Sequence, residues 1–358
     1  GKGLLLSDDQ LVQNLPPDLK NFFKKMQLAG SVSGRIDVVY RYLKNELTEP
    51  IEIVEYDVQG KLKEGLFDFA IRAEELSANF VIHGGIQPGQ GHTFSGQLSD
   101  GDFRFSRFRA TVPSTRNLSF TYGIDHPRIA FQDDQEQQED PPSQWLRSRL
   151  PADRSKLFQA ELGPCEIYGG PLDGFFFADL GQEHGSFAGE AILSDVDLSL
   201  GSELLFGKKG VRGTARGTVQ VEGVVGSAES IMGSGEFSIR KGLLAQIPLL
   251  AGAIINPFEG LNRNNNKIRE ADCHFSIHDQ VFDFKGMGSI KLRSETGRIL
   301  GRGTLAFNKI LNLVMEPQTL GGAPLLSDIA NRLLRFRIRG TLDDPKLNSR
   351  KETPSRGD

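Results

Sequence analysis

A cysteine and two histidines fall within the six residues Cys273 to His278 (CHFSIH), the spacing that first suggests a metal site. Zinc needs thiolate or imidazole ligands within about 2.0–2.3 Å of one ion. On a strand, His274 and His278 share a face but stand about 13 Å apart at about 3.3 Å per residue. Cys273 points to the other face, so this geometry predicts a polar strand face rather than a metal centre. Arg335, Arg337 and Arg339 alternate with apolar residues and have two readings, a solvated outer face or a site for anionic head groups. Nucleophile and phosphate motifs are missing. The chain contains no GxSxG elbow, HExxH, GxGxxG, CxxC or Walker loop; GSELLFGKKG at Gly201 has the wrong glycine spacing and lacks the Ser or Thr. Asn117-Leu118-Ser119 is a glycosylation sequon, relevant only in a eukaryotic secretory setting.

The elements that would hold such residues follow from composition and period. The chain has 358 residues, enough for two average domains or one elongated β-domain, and its 41 glycines and 25% charged residues argue against a disordered chain or a multi-span membrane protein. A formal net charge of -4 with no basic block argues against a nucleic-acid partner. Cys165 and Cys273 are too few for a disulfide scaffold. They either close one long loop or are two buried thiols, and lone cysteines usually behave as small hydrophobes. The chain opens GKGLLLSDD, as if cut from a longer protein. The longest apolar run, Leu243 to Phe258, is interrupted by Gln246, Pro248 and Asn256, short of the roughly 20 apolar residues of a span. Any membrane anchor is therefore expected upstream.

Residues 1–131 read as an N-terminal cap followed by strands. Ser7 caps a helical stretch, and a second stretch runs from Asp18 to Met26. From Ala29 the period becomes two. Val32, Gly34, Ile36, Val38 and Tyr40 predict a half-buried strand. Val54 to Val58, Phe67 to Ile71, Phe80 to Ile82 and Phe94 to Leu98 continue it, with a helical turn expected at Ala73 to Leu76. Asp100-Gly101 reads as a hairpin turn, with Phe103 and Phe105 leading back. Residues 132–145 (QDDQEQQEDPPSQW) form an acidic, Pro-ended loop without EF-hand spacing. Strands resume in residues 146–345, with Val196, Leu198 and Leu200 read as one alternating strand. The glycine stripe Gly213, Ala215, Gly217 implies close backbone approach and a curved sheet. An apolar helix is expected at residues 243–261 and a short one at Leu325 to Arg332. The tail 346–358 carries no apolar pattern and is expected to be disordered.

The fold class expected is mainly β: an elongated, curved antiparallel β-sheet groove, taco-like, with short helices capping the ends. Phe275, Ile277, Phe282, Phe284, Ile290, Leu292, Leu305, Phe307, Phe336 and Ile338 belong to same-parity sets opposite polar sets, and are assigned to the inner face. An apolar face must be covered, or else marks a ligand or partner surface. That leaves a filled sandwich or an open trough.

Residues Gly233, Gly235, Phe237, Ile239, Gly242, Leu243, Ile247, Pro248 and Leu249 make a glycine-punctuated strand, a turn and an IPLL helix. Gly301, Gly303 and Leu305, then Gly340, Thr341, Leu342 and Pro345, close two later strands. In this order the pieces resemble the C-terminal region of AsmA-like proteins, relatives of chorein-type bridge-like lipid transfer proteins. The clear likeness covers about the last third of the chain. The resemblance implies a groove for phospholipid or other acyl lipid in the periplasm of a Gram-negative-type bacterium. The full-length protein would be anchored in the inner membrane, with envelope proteins as partners, and would carry lipid between inner and outer membranes. The ten inner-face residues would then be the lipid-binding set. The alternative is a non-catalytic envelope assembly or structural protein with a closed β-sandwich core. Neither reading calls for a cofactor, a metal or an enzyme activity.

Overall fold

A computed structural model describes residues 4–5, 29–43, 51–68, 72–87, 91–105, 108–126, 142–163, 165–182, 184–206, 211–242, 268–294, 297–319, 335–342 and 344–348. Strands make up 72% of the described residues and helices are few, which makes the protein mainly β, as its alternation predicts. The strand pairings described below are antiparallel. The chain divides into two compact units, Gly1–Ile192 with Gln220–Ala228, and Leu193–Val219 with Glu229–Asp358. The helices expected before Ala29, at 243–261 and at Leu325 to Arg332, and most of the acidic loop, lie outside the described residues.

The first unit begins with β1 (Leu4–Leu5), β2 (Ala29–Leu43), β3 (Ile51–Asp68), β4 (Arg72–Gln87) and β5 (Gly91–Phe105). Each of these pairs with the next. β5 is long enough to serve two partners. Its residues Phe94 to Leu98 pair with β7 (Leu118–Tyr122), and Gly101 to Phe105 pair with β6 (Phe108–Val112). β7 continues to β8 (Leu157–Glu161) and β8 to β10 (Gly170–Asp179); β9 (Glu166–Ile167) joins β6 to β10. The expected hairpin at Asp100-Gly101 is absent. Asp100 instead takes φ 50° inside β5, where the register with β4 shifts, so the turn-type dipeptide makes a β-bulge. Ala73 to Leu76 is likewise extended rather than helical. Glu75 has φ 56° beside a register shift, and that bulge is what breaks the alternation.

The strand β2 is real, but it is not half-buried throughout. From Ser33 to Tyr42 both faces are exposed, with Ile36 at 61% and Tyr40 at 65%. β1 pairs β2 only at Ser31 and Val32, so beyond that point β3 alone flanks it among the described residues. Alternation assigns side chains to faces; it does not say whether anything covers them.

At the other end of this unit both sheet faces are apolar. Helix α1 (Gln144–Arg147) sets Leu146 against Leu157, Phe175, Phe177 and Ala188, all at most 1% exposed. Phe176, between the two buried phenylalanines, points to the opposite face and is half-buried. Two apolar faces explain the unbroken Phe run. Glu190 anchors α1: the Ser143 backbone N–H and hydroxyl both donate to its carboxylate, the hydroxyl at 2.5 Å. Arg149 pairs with Glu222 at 2.6 Å and lies over the Trp145 ring at 4.2 Å.

The last residues of β11 (Ser186–Asp197) open the second unit. The alternation through Leu200 does not continue as strand. Asp197 accepts from the Ser199 N–H at 2.8 Å, a helix cap, and α2 (Leu198–Phe206) begins at Leu198. β12 (Thr214–Val224), β13 (Ser227–Arg240), β14 (Glu270–His278), β15 (Val281–Phe284), β16 (Ile290–Arg293), β17 (Gly297–Ala306), β18 (Ile310–Thr319), β19 (Phe336–Thr341) and β20 (Pro345–Asn348) follow. β14 and β17 each pair with both β15 and β16, whose separation is the glycine turn at Gly286 and Gly288. β17 pairs with β18, β18 with β19, and β19 with β20. The start of the expected tail is thus a strand: Lys346 to Asn348 pair with Arg337 to Arg339, an order that their own composition does not signal.

Candidate apolar binding face

Antiparallel register places directly opposed residues on one face. In the second unit Phe237, Cys273, Ile290, Gly301, Met315 and Phe336 form one continuous row across six strands. A second row runs Ile277, Phe282, Leu305, Leu311, and a third runs Phe284, Gly303, Leu313, Ile338. Phe275 opposes Gly235, and Leu292 opposes Ile299. Phe307 joins through its ring, 5.3 Å from that of Phe282, and Phe275 stands 5.4 Å from Phe282. All ten residues assigned to an inner face therefore share one face.

Their burial is graded. Ile277, Leu292, Phe336 and Ile338 are at most 5% exposed, as are Leu311, Leu313 and Met315. Phe275, Phe282, Phe284, Ile290, Leu305 and Phe307 are half-buried. The face is covered in part and open in part.

Glycines let neighbouring rings lie flat on this face. A Cβ on Gly235 would meet the Phe275 ring at 2.6 Å, and one on Gly301 would meet the Met315 sulfur at 2.4 Å. Residue types alone do not show that the glycine and ring positions are paired; register supplies it.

The first unit carries a second apolar face that the ten-residue assignment omits. Ile36, Val58, Ile82, Gly96, Phe120, Ala160 and Phe176 align across seven strands. The next row is Val38, Tyr56, Gly84, Phe94, Tyr122, Phe158 and Ala178. The signal for it is the alternation from Val32 to Leu98, equal in kind to that of the second unit. Phe94 and Tyr122 stack with ring centroids 5.1 Å apart, while Val58, Ile82, Phe158 and Phe176 are half-buried. The Tyr56 hydroxyl meets His92 Nε2 at 2.5 Å, and burial pushes its pKa well above the usual tyrosine value.

One group of side chains resembles a catalytic triad in residue type but not in geometry. Ser119, His126 and Glu161 meet in the first unit. The Ser119 hydroxyl lies 3.0 Å from His126 Nε2 and donates to Glu161 at 3.2 Å, while Glu161 lies 4.0 Å from that same Nε2. A triad needs the acid on one ring nitrogen and the nucleophile on the other, and here both meet one nitrogen. Gln159 holds the turn beside them, accepting from the His126 N–H at 3.4 Å and donating to the Ile124 carbonyl at 3.0 Å. Cys165 and Cys273 are free thiols; burial pushes them up to about 12 and about 11, so both are protonated at neutral pH. His274 pairs with Glu236 at 3.3 Å, and His278 bonds Asp279 at 3.2 Å and Asp283 at 3.3 Å. Among the described residues no three His, Cys, Asp or Glu side chains are placed to hold a metal ion.

Among the described residues no helix is long and apolar enough to cross a membrane. No family model, curated protein or solved structure matches this chain.

Proposed function

We propose that this chain is a non-catalytic lipid-binding protein whose apolar sheet faces receive phospholipid acyl chains. The supporting observation is the half-exposed aromatic and aliphatic surface formed by Phe275, Phe282, Phe284, Leu305 and Phe307, continuous in register with a buried row. Leaving large apolar side chains half in water forgoes about 25 cal/mol per Å² of exposed apolar area, a loss an acyl chain would recover. The resemblance of the last third of the chain to AsmA-like proteins supports the same reading. On it, the protein works in the periplasm of a Gram-negative-type bacterium, attached to the inner membrane in its full-length form. It passes phospholipid toward the outer membrane, alone or with envelope partners.

A second reading has its own support. Leu311, Leu313, Met315, Phe336 and Ile338 are nearly fully buried, as in a closed core. This favours a structural or assembly protein of the envelope with no ligand.

One substitution separates the two. Leu305 is half-buried on the apolar face, and Glu there keeps its carboxylate partly hydrated if the face is an open trough. The expected result for Leu305→Glu is a small fall in melting temperature with loss of extractable phospholipid. Arg298→Glu, on the polar face, should keep both. A folded Leu305→Glu protein that retains wild-type lipid contradicts the acyl-chain reading. Unfolding by Leu305→Glu, with no lipid in the wild type, supports the closed core, because a buried unpaired charge costs several kcal/mol.

A further inference from the structure

The face opposite the apolar rows has its own concavity. A cleft of about 360 Å³ opens between β15, β17, β18 and β19. Its charged and polar lining is Lys285, Arg302, Arg337, Arg339, Asp283 and Asn312. Register fixes the arrangement: Arg302 opposes Val314 and Val314 opposes Arg337, while Asn312 opposes Arg339. Arg302 and Arg337 are thus two strand spacings apart, about 10 Å, and Arg337 and Arg339 about 7 Å apart. These separations are close to the screening length of about 8 Å at physiological ionic strength, so the charges repel one another.

Several other arginines of this unit are paired with carboxylates. Arg216 pairs with Asp195 at 2.5 Å, Arg240 with Asp272 at 2.5 Å, Arg293 with Glu270 at 3.6 Å and Arg335 with Glu316 at 2.9 Å. Arg302, Arg337 and Arg339 have no such partner among the described residues. The single carboxylate in the cleft, Asp283, is already bonded to His278. Three guanidinium groups and an ammonium therefore face one concave space with one engaged acid.

We propose that this cleft binds a phosphate group. A carboxylate is satisfied by one bidentate arginine, whereas a phosphate brings up to two charges and several acceptor oxygens, and matches donors converging from three strands. The Asn312 amide adds a neutral donor. The phosphate can belong to an anionic phospholipid head group or to a soluble phosphate ester. The site lies on the face opposite the proposed acyl-chain surface and does not rest on that reading.

The test uses the whole chain with two kinds of probe. Calorimetry with inorganic phosphate and with glycerol 3-phosphate measures the soluble source. Flotation with phosphatidylcholine vesicles, with and without phosphatidylglycerol, measures the head-group source. Saturable binding in either arm is expected, falling by about tenfold or more in Arg302→Gln and Arg337→Gln. Arg335→Gln, which is ion-paired and outside the cleft, should bind within about twofold of wild type if specific contacts rather than net charge hold the ligand. All three arginines are exposed, and unchanged melting temperatures verify that the variants fold. Absence of binding in both arms overturns the proposal. So does binding that is unaffected by the cleft substitutions or lost equally in Arg335→Gln. Leu305→Glu should leave this binding intact, which keeps its failure distinct from failure of the acyl-chain reading.

Discussion

Individual side chains divide into those that alternation could place and those whose neighbours decide their role. His274 and His278 are on one strand face, as spacing predicts, yet each is explained by acids on other segments. For His278, hydrogen bonds donated to Asp279 and then to Asp283 raise the pKa above the ordinary histidine value. A raised folded value means that protonation favours the folded state. The resulting stability is fully present below the unfolded pKa, about 6.5, and is lost as pH rises through the folded value. We therefore expect wild type and His278→Gln to differ in melting temperature at pH 5.5 and to converge at pH well above the folded pKa. NMR titration of the ring should show an upward-shifted midpoint that falls in Asp279→Asn. A midpoint at or below the ordinary value would sink this account.

Strands were legible as elements, but their ends and bends were not. The pattern from Gly297 to Ala306 marks a strand and its apolar face directly. Asp100-Gly101 has hairpin chemistry and yet sits inside β5, because a left-handed residue serves a bulge as well as a turn. Leu198 and Leu200 keep the period of a strand, but the side chain of Asp197 caps a helix there. The burial of Phe175 and Phe177 depends on α1, a helix that comes earlier in sequence, so local period could not reveal it. Glycine placement gives a test at this scale. Gly303 has φ 139°, and a Cβ there would lie 2.1 Å from the Asn312 carbonyl oxygen, a backbone atom. On Gly96 a Cβ would meet the tip of the Phe120 ring, at 2.3 Å. Gly303→Ala should therefore destabilise more than Gly96→Ala: its closest contact is paired backbone and its φ is left-handed, whereas the closest contact at Gly96 is a ring that can tilt and the Val81 carbonyl oxygen there lies at 2.9 Å. Phe177→Ala, which empties a fully buried site, should cost about 3–5 kcal/mol by chemical denaturation. Gly303→Ala at wild-type stability, or Phe177→Ala losing under about 1 kcal/mol, would contradict the packing described.

At the scale of the whole chain, the mainly β class and the sharing of faces follow from period-two patterning over hundreds of residues. The candidate site was half legible. The ten residues assigned from parity share a face, but that assignment does not include the equivalent face of the first unit, although Val58, Ile82, Phe94 and Phe120 carry the same signal. The cationic cleft was visible only as the stripe Arg335, Arg337, Arg339. Which of those arginines is neutralised depends on Glu316, and what completes the cleft is Arg302 two strands away; spacing within one strand encodes neither.

The central claim is that the apolar faces hold acyl chains, and native mass spectrometry of the purified wild-type chain tests it most directly. The account predicts adducts at phospholipid masses, regained after delipidation by incubation with phospholipid vesicles and diminished in Leu305→Glu. A folded wild-type protein that carries no phospholipid, and takes none up from vesicles, would contradict it.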